Sequence, residues 1–348
     1  MINSIDFTKY NELLSNSGSI IITTHFNPDG DAVGSALALY HVLKGGGFEV
    51  SVIIPNRFPD FLGWMSDNEK IIIFEEAKNS RAKLLIEKAD VIFCLDYNAL
   101  KRIGKMEEPV RAAEGFKVLI DHHPNPQLNE FQLVYSFTSA SSTAELVCKF
   151  IEQTGLKHLI NKEAAECLYA GIITDTGSFS FSCNSAITYQ IMAMLIEKGI
   201  DAENLHRLIY DNFSESRIRL LGFALSQKML VLPEFHCAII WLTKQDLDNF
   251  NYQIGDSEGL VNYPLSIKEI NLSLLLTEKE NLIRISFRSK GKFAVNQIAK
   301  EYFEGGGHAN AAGGNSYLSM EATINKFKEI LPKFKQNLNY IISKENTI

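Results

Sequence analysis

Apolar runs in the N-terminal part of the chain end, three times over, in side chains that bind metals. That recurrence constrains the fold more than any other feature. The first run is Ile20-Ile21-Ile22, followed by Thr24-His25-Phe26-Asn27-Pro28-Asp29-Gly30-Asp31-Ala32-Val33-Gly34-Ser35. The continuous apolar run predicts a buried strand ending at His25, and the pattern from Ala36 to Leu43 predicts a helix that begins near Ala32. Pro28 and Gly30 interrupt regular hydrogen bonding, so the chain can double back and bring His25, Asp29 and Asp31 together. One imidazole and two carboxylates suit a divalent cation, and mixed nitrogen and oxygen ligation favours manganese, iron, zinc or magnesium over a thiolate-bound metal. Taken alone, an Asp-rich turn of this kind more often caps a helix than holds a metal.

The pattern then recurs. Val91-Ile92-Phe93-Cys94-Leu95 ends at Asp96, and Lys117-Val118-Leu119-Ile120 leads into Asp121-His122-His123. Strand patterns at 48–54, 71–74 and 131–137 alternate with helical ones at 80–89 and 142–154. Such alternation predicts a parallel sheet, and open parallel sheets bind ligands at the carboxyl ends of their strands. A helix predicted over 162–170 runs into Gly171–Phe179, where Asp175 is expected on a tight turn pointing into a cleft. Helices are predicted over 185–198 and 203–230, with a break at Gly199-Ile200-Asp201. An amphipathic pattern over 5–16 and an aromatic segment over 56–68 both read as packing rather than chemistry.

Strand patterns return at 235–242, 273–277 and 282–288, and in the last of these Arg284, Ser286 and Arg288 share one face. Residues 281–300 carry five Lys or Arg and no acid, an anion-attracting patch in a chain of net charge −7. A helix over 293–303 stops at Gly305-Gly306-Gly307-His308-Ala309-Asn310-Ala311-Ala312-Gly313-Gly314, which taken alone reads as a helix C-cap with a flexible turn. With His308 directly after three glycines and the Arg strand nearby, it is read as a loop whose bare backbone N–H groups face a phosphate. The expected organisation is α/β throughout: a parallel-sheet domain at 1–200, a helical linker at 201–230 and a smaller α/β domain at 231–348. The acidic balance argues against a broad basic face for long duplex nucleic acid but leaves room for a small phosphate-bearing substrate. Five cysteines without a Cys-x-x-Cys pair give neither a disulfide framework nor a zinc knuckle. With no apolar signal core and no run of membrane-spanning length, the expectation is a cytoplasmic protein without membrane contact.

Taken together, these motifs resemble the DHH phosphoesterase superfamily. The resemblance is carried by Thr24-His25 through Asp29-Gly30-Asp31 to Gly34-Ser35, by Asp96 with Arg102-Ile103-Gly104, by Asp121-His122-His123, and by Thr174-Asp175-Thr176-Gly177. Ser286-Phe287-Arg288-Ser289, Val295-Asn296 and Gly305-Gly306-Gly307-His308 through Gly313 look like the DHH-associated C-terminal domain, with Glu304 standing where a further glycine is common. Within the superfamily the chain is similar to the nanoRNase and pAp-phosphatase branch. That resemblance implies two divalent cations, Mn2+ first among them. His25, Asp29 and Asp96 would hold one, and Asp31, Asp96, His122 and Asp175 the other. Asp121 would orient a neighbouring group, and His123 would contact the scissile phosphate or protonate the leaving oxygen. Arg288, Gly306, Gly307, His308 and Asn310 would grip the nucleotide. The implied substrates are short single-stranded oligoribonucleotides, cut to mononucleotides, and adenosine 3',5'-bisphosphate (pAp), converted to AMP and phosphate through a water activated by the two metals. The same groups would serve a phosphodiesterase of cyclic di-AMP or linear dinucleotides, and a homodimer stays open. A nucleotide-sensing module on a degenerate fold would predict lost ligands, and none is lost.

Overall fold

The structure, a computed structural model, describes residues 14, 17–75 and 80–338. The helix expected over 5–16 therefore lies, apart from Leu14, outside the described residues. The chain divides into two compact units, Met1–Asn212 and Phe213–Ile348.

In the first unit, β1 (Ile20–Thr24), β2 (Val50–Ile54), β3 (Ile72–Ile73), β4 (Val91–Leu95), β5 (Phe116–Asp121) and β6 (Leu133–Ser136) form one sheet in the order β3-β2-β1-β4-β5-β6. Every pairing is parallel. The apolar runs are uninterrupted because both faces of the sheet are covered. Ile20 and Ile22 enter one core with α1 (Gly30–Gly45), α4 (Thr143–Gln153) and α5 (Lys162–Asp175). Ile21, Ile53, Ile92 and Leu119 enter the opposite core, against α2 (Ser80–Glu87) and α3 (Glu107–Ala112). The chain runs outward from β1 through β2 to β3, then returns to place β4 on the other side of β1. Strand order reverses between β1 and β4, the crevice where an open α/β sheet receives its ligand.

Helix α1 is buried from Gly30 to Leu43 and packs through small residues. A Cβ at Gly34 would stand 2.5 Å from the Cys167 carbonyl oxygen, and one at Gly171 would stand 2.6 Å from the Ala144 Cβ. Gly171 is thus a contact point inside a helix, and α5 continues to Asp175 instead of stopping at Ala170 as expected. The aromatic segment 56–68 packs as expected, with Leu62 and Met65 buried and Phe58, Phe61 and Trp64 against the main core.

The single helix read over 203–230 is replaced by α7 (Ala202–Tyr210), α8 (Glu215–Gln227) and the strand β7 (Met229–Leu232). In α7, which follows α6 (Ala186–Glu197), Leu205 and Ile209 join the core of the first unit, whereas Leu220 and Ala224 of α8 join a core of the second. The division thus falls inside the segment read as a linker.

The second unit is built on a mixed sheet of β7, β8 (Cys237–Leu242), β9 (Leu272–Glu278), β10 (Ile283–Ser289), β11 (Gly306–Gly307) and β12 (Ala311–Ser316), in the order β11-β12-β10-β9-β8-β7. Helices α9 (Lys244–Asn249), α10 (Val295–Tyr302) and α11 (Met320–Ile330) complete it. The glycine-rich run is not an open loop. Its second half is β12, antiparallel to β10, and Gly306–Gly307 adds a short edge strand. Gly314 is needed for close approach, since a Cβ there would meet the Phe303 Cβ at 2.9 Å. Among the described residues no helix is long and apolar enough to cross a membrane.

Candidate metal centre

The strand ends at the β1/β4 crevice deliver the first groups. Beyond Thr24 the chain makes a tight loop in which Asn27 takes a left-handed φ of 56°. Asn56 clamps it, accepting from the Asn27 N–H at 2.7 Å and donating to the Asn27 Oδ1 at 2.9 Å. Asp29 then caps α1, its Oδ1 accepting from the N–H groups of Asp31 and Ala32 at 3.1 Å each. The capping reading of this turn therefore holds, and the cap fixes the carboxylate beside His25. Asp96 follows β4 with φ 64°, a conformation Asp tolerates better than most residues. Its N–H bonds to the Ile120 carbonyl at 3.1 Å, which keeps it on the sheet edge.

Around Asp96 the sequence-predicted residues converge. His25 Nε2 lies 3.8 Å from Asp29 Oδ1 and 3.4 Å from Asp96 Oδ2. His122 Nε2 lies 3.9 Å from Asp31 Oδ2, 3.7 Å from Asp96 Oδ1 and 3.4 Å from Asp175 Oδ2. The two oxygens of Asp96 thus face different imidazoles. His123 Nδ1 is 2.7 Å from Asp121 Oδ1, a hydrogen bond, and 3.7 Å from Asp96 Oδ1. His25, Asp31, Asp96, Asp121 and His122 are buried, while Asp29, His123 and Asp175 are half-buried.

Asp31 is held by a group that the sequence reading missed. The first residues of α4 point their N–H groups at its carboxylate, Thr143 to Oδ2 at 2.6 Å and Ala144 to Oδ1 at 2.8 Å. The Thr143 hydroxyl donates to Asp96 Oδ1 at 2.8 Å. Ser142 caps the next amide, that of Glu145, at 3.0 Å. The signal in the sequence is Ser142-x-x-Glu145 ahead of an apolar run, the mark of a helix start.

So many buried carboxylates strain one another. Burial disfavours a charged His25, yet Asp29 and Asp96 overcome it and raise its pKa well above the ordinary value. Asp96 is held well below the usual carboxylate range, burial being outweighed by His25, His123 and His122. Burial and the neighbouring carboxylates instead push Asp31 well up. Asp175 is raised to about 6, by burial first, with His122 opposing and Asp96 adding to the rise.

The donor set fits divalent cations. His25, Asp29 and Asp96 offer atoms within 4.8 Å of one another, as do Asp31, Asp96 and His122. Most of the imidazole–carboxylate separations, 3.4–3.9 Å, are long for hydrogen bonds and match pairs of ligands each about 2.1 Å from a shared ion. Crowded negative charge, hard oxygen donors and imidazoles together call for a positive ion of the manganese, magnesium or zinc type.

In the second unit, Arg284, Ser286 and Arg288 lie on one face of β10, opposite Asn315, Gly313 and Ala311 of β12. His308 and Asn310 sit in the turn between β11 and β12, and the Ser289 N–H bonds to the Asn310 carbonyl at 3.0 Å, so this turn flanks Arg288. The Asn310 side-chain amide donates to Ser289 Oγ and to the Gly291 carbonyl, each at 2.9 Å, which braces the 289–293 loop. Gly307 has φ 134°, open only to glycine, and its carbonyl accepts from Asn296 Nδ2 at 3.1 Å.

Residues 19–172 match the N-terminal domain of the DHH family, and residues 238–340 match the DHHA1 domain. The bifunctional oligoribonuclease and PAP phosphatase NrnA of Bacillus subtilis is 30% identical over 307 residues, covering 87% of this chain and 91% of that protein. The cyclic-di-AMP phosphodiesterase GdpP of the same organism is 28% identical over 93% of this chain and 49% of its own length. The crystal structure of an exopolyphosphatase-related protein from Bacteroides fragilis superposes with a TM-score of 0.91 at 44% identity, covering 96% of this chain and 97% of that one. The strand-end imidazoles and carboxylates thus lie within a DHH domain that a DHHA1 domain follows, and the chain belongs to the DHH family of phosphoesterases, whose enzymes use divalent metals.

Proposed function

We propose that the chain hydrolyses short single-stranded oligoribonucleotides to mononucleotides and pAp to AMP and phosphate. The observation that carries the phosphoester chemistry is the pair of carboxylate–imidazole clusters that share Asp96. The choice of substrate is supported by the NrnA relative, which aligns over most of both chains.

In this reading His25, Asp29 and Asp96 hold one cation and Asp31, Asp96, His122 and Asp175 the other, with manganese as the working ion. When bound, such a pair supplies the Lewis acidity that activates water and stabilises charge on the phosphoryl oxygens. The remaining roles fall to side chains. Asp121, 2.7 Å from His123 Nδ1, keeps a proton on that nitrogen and leaves Nε2 to meet the scissile phosphate or the leaving oxygen. Burial disfavours a charged His123, but Asp121 outweighs it and raises the pKa, which suits a proton donor. Arg288 offers a planar fork for phosphate, and Gly306, Gly307, His308 and Asn310 offer a turn beside it on the same unit.

A second reading, hydrolysis of cyclic di-AMP or linear dinucleotides, is favoured by the GdpP relative and uses the same residues. The test is a manganese-supplemented comparison of kcat/KM on a short RNA, pAp, cyclic di-AMP and pyrophosphate. Fast turnover of the first two is expected. Preference for cyclic di-AMP would move the assignment to the second reading, and inactivity on all four with metal bound would remove the enzyme reading.

A further inference from the structure

We propose that Thr143 is a positioning residue of the metal centre, whose N–H holds Asp31 while its hydroxyl holds Asp96, so that one residue sets the separation of two carboxylates assigned to a common cation. The inference rests on the two-cation reading.

Thr143 is fully buried and opens α4. Its N–H donates to Asp31 Oδ2 at 2.6 Å and its Oγ1 to Asp96 Oδ1 at 2.8 Å. Both donors are rigid. The amide is locked by the first turn of the helix, where the Ala144 N–H also bonds Asp31, and a β-branched side chain has little χ1 freedom. The carboxylate of an Asp, by contrast, turns easily about its last torsion. The Thr143 hydroxyl therefore bears on which oxygen of Asp96 faces His25 and which faces His122. With it, Oδ1 is pinned on the side of His122 and Oδ2 is left toward His25, at 3.7 Å and 3.4 Å from the respective Nε2 atoms. The hydroxyl occupies one lone pair of Oδ1, and a carboxylate oxygen has a second to offer a cation. Two carboxylates crowded this closely also need donors beside them, and here one residue supplies a donor to each. In the sequence Thr143 simply follows Ser142, the residue that caps α4, so capping does not account for the Thr143 hydroxyl contact.

Thr143→Val keeps the shape and the N–H but removes the hydroxyl donor, whereas Thr143→Ser keeps the donor and loses the methyl. The experiment titrates Mn2+ into the metal-stripped full chain by calorimetry, with Tm measured in parallel. Thr143→Val is expected to weaken at least one of two Mn2+ sites about 10–100-fold, the range for loss of a group that orients a ligand, with Thr143→Ser recovering most of the affinity. Should the Val variant fail to fold, Thr143→Ser against Thr143→Ala makes the same comparison. Wild-type Mn2+ affinity in Thr143→Val, even with a lowered Tm, overturns the proposal, because the hydroxyl would then serve stability alone. A wild-type chain that binds fewer than two Mn2+ overturns the two-cation reading itself, which is a distinguishable failure.

Discussion

Replacing Gly34 by alanine sets two helix effects of opposite sign against each other. In an open helix the change is favourable by about 1 kcal/mol. At Gly34, however, the new Cβ would stand 2.5 Å from the Cys167 carbonyl oxygen, 3.0 Å from the Gly171 nitrogen and 3.2 Å from the Gly171 Cα. Carbon–oxygen contacts settle near 3.3 Å, so α1 and α5 must separate by roughly 0.8 Å. Overpacking of this sort costs about 1–3 kcal/mol, and the upper end applies because the obstacle is main chain rather than a flexible side chain. The net loss is about 2 kcal/mol, or ~4–8 °C in Tm for a unit of this size. Asp31 opens α1 and Asp175 closes α5, so the same displacement loosens the grouping of both around His122 Nε2, now 3.9 and 3.4 Å away. The assay is thermal unfolding with and without Mn2+, beside Gly222→Ala as control, since a Cβ at Gly222 in α8 meets nothing within 4 Å. The control should hold or raise Tm while Gly34→Ala lowers it and weakens Mn2+ binding. Equal effects from the two substitutions would refute the argument that backbone contact between these helices assembles the site.

Asp96→Ala should abolish turnover on every phosphoester substrate and reduce Mn2+ stoichiometry, and near-normal activity would sink the shared-ligand assignment. Glu145, buried, accepts from Ser141 Oγ and Thr188 Oγ1 at 2.7 Å each; burial opposes its ionisation, but these donors lower its pKa. A lowered folded pKa gives stability that is present above the unfolded value, about 4.3, and is lost as pH falls through the folded one. The Tm advantage of wild type over Glu145→Gln, from about 1.5–3 kcal/mol of charged hydrogen bonding, should therefore shrink below pH ~4; a difference independent of pH would contradict this. Glu304 adopts φ 46°, so Glu304→Gly should relieve about 1 kcal/mol of strain and raise Tm by about 1–3 °C after the entropy cost of glycine, measured by calorimetry. A fall in Tm would mean that the Glu304 side chain makes compensating contacts.

The sheet was legible because its strands are buried on both faces, so apolar runs stand out and each ends abruptly in polar chemistry. His25, Asp96 and His122 could be found for that reason. Asp175 could be named but not placed: Gly171 reads as a helix breaker, whereas its missing side chain lets α5 lie against Ala144, and the helix runs on. The glycine-rich run failed similarly. Local composition suggests an open loop, but pairing with β10 draws Ala311–Ser316 into the sheet. The break inside 203–230 carried a usable signal in Ser214, which caps α8 by accepting from the Arg217 N–H at 3.0 Å. Thr143 carried none for its hydroxyl, since its contact with Asp96 spans 47 residues.

Because the carboxylate of Asp31 closes the amino end of α4 as well as facing His122, folding and the proposed catalysis place their demands on the same atoms. The proposed ligands are then unequal under drift. A descendant that abandoned hydrolysis could change His122 or Asp175 without unlatching a helix, but a change at Asp31 would leave two buried amides without an acceptor. Asp31 should therefore outlast the proposed activity, and its presence alone in a distant relative would testify to the fold, while intact His122 and Asp175 would testify to the enzyme.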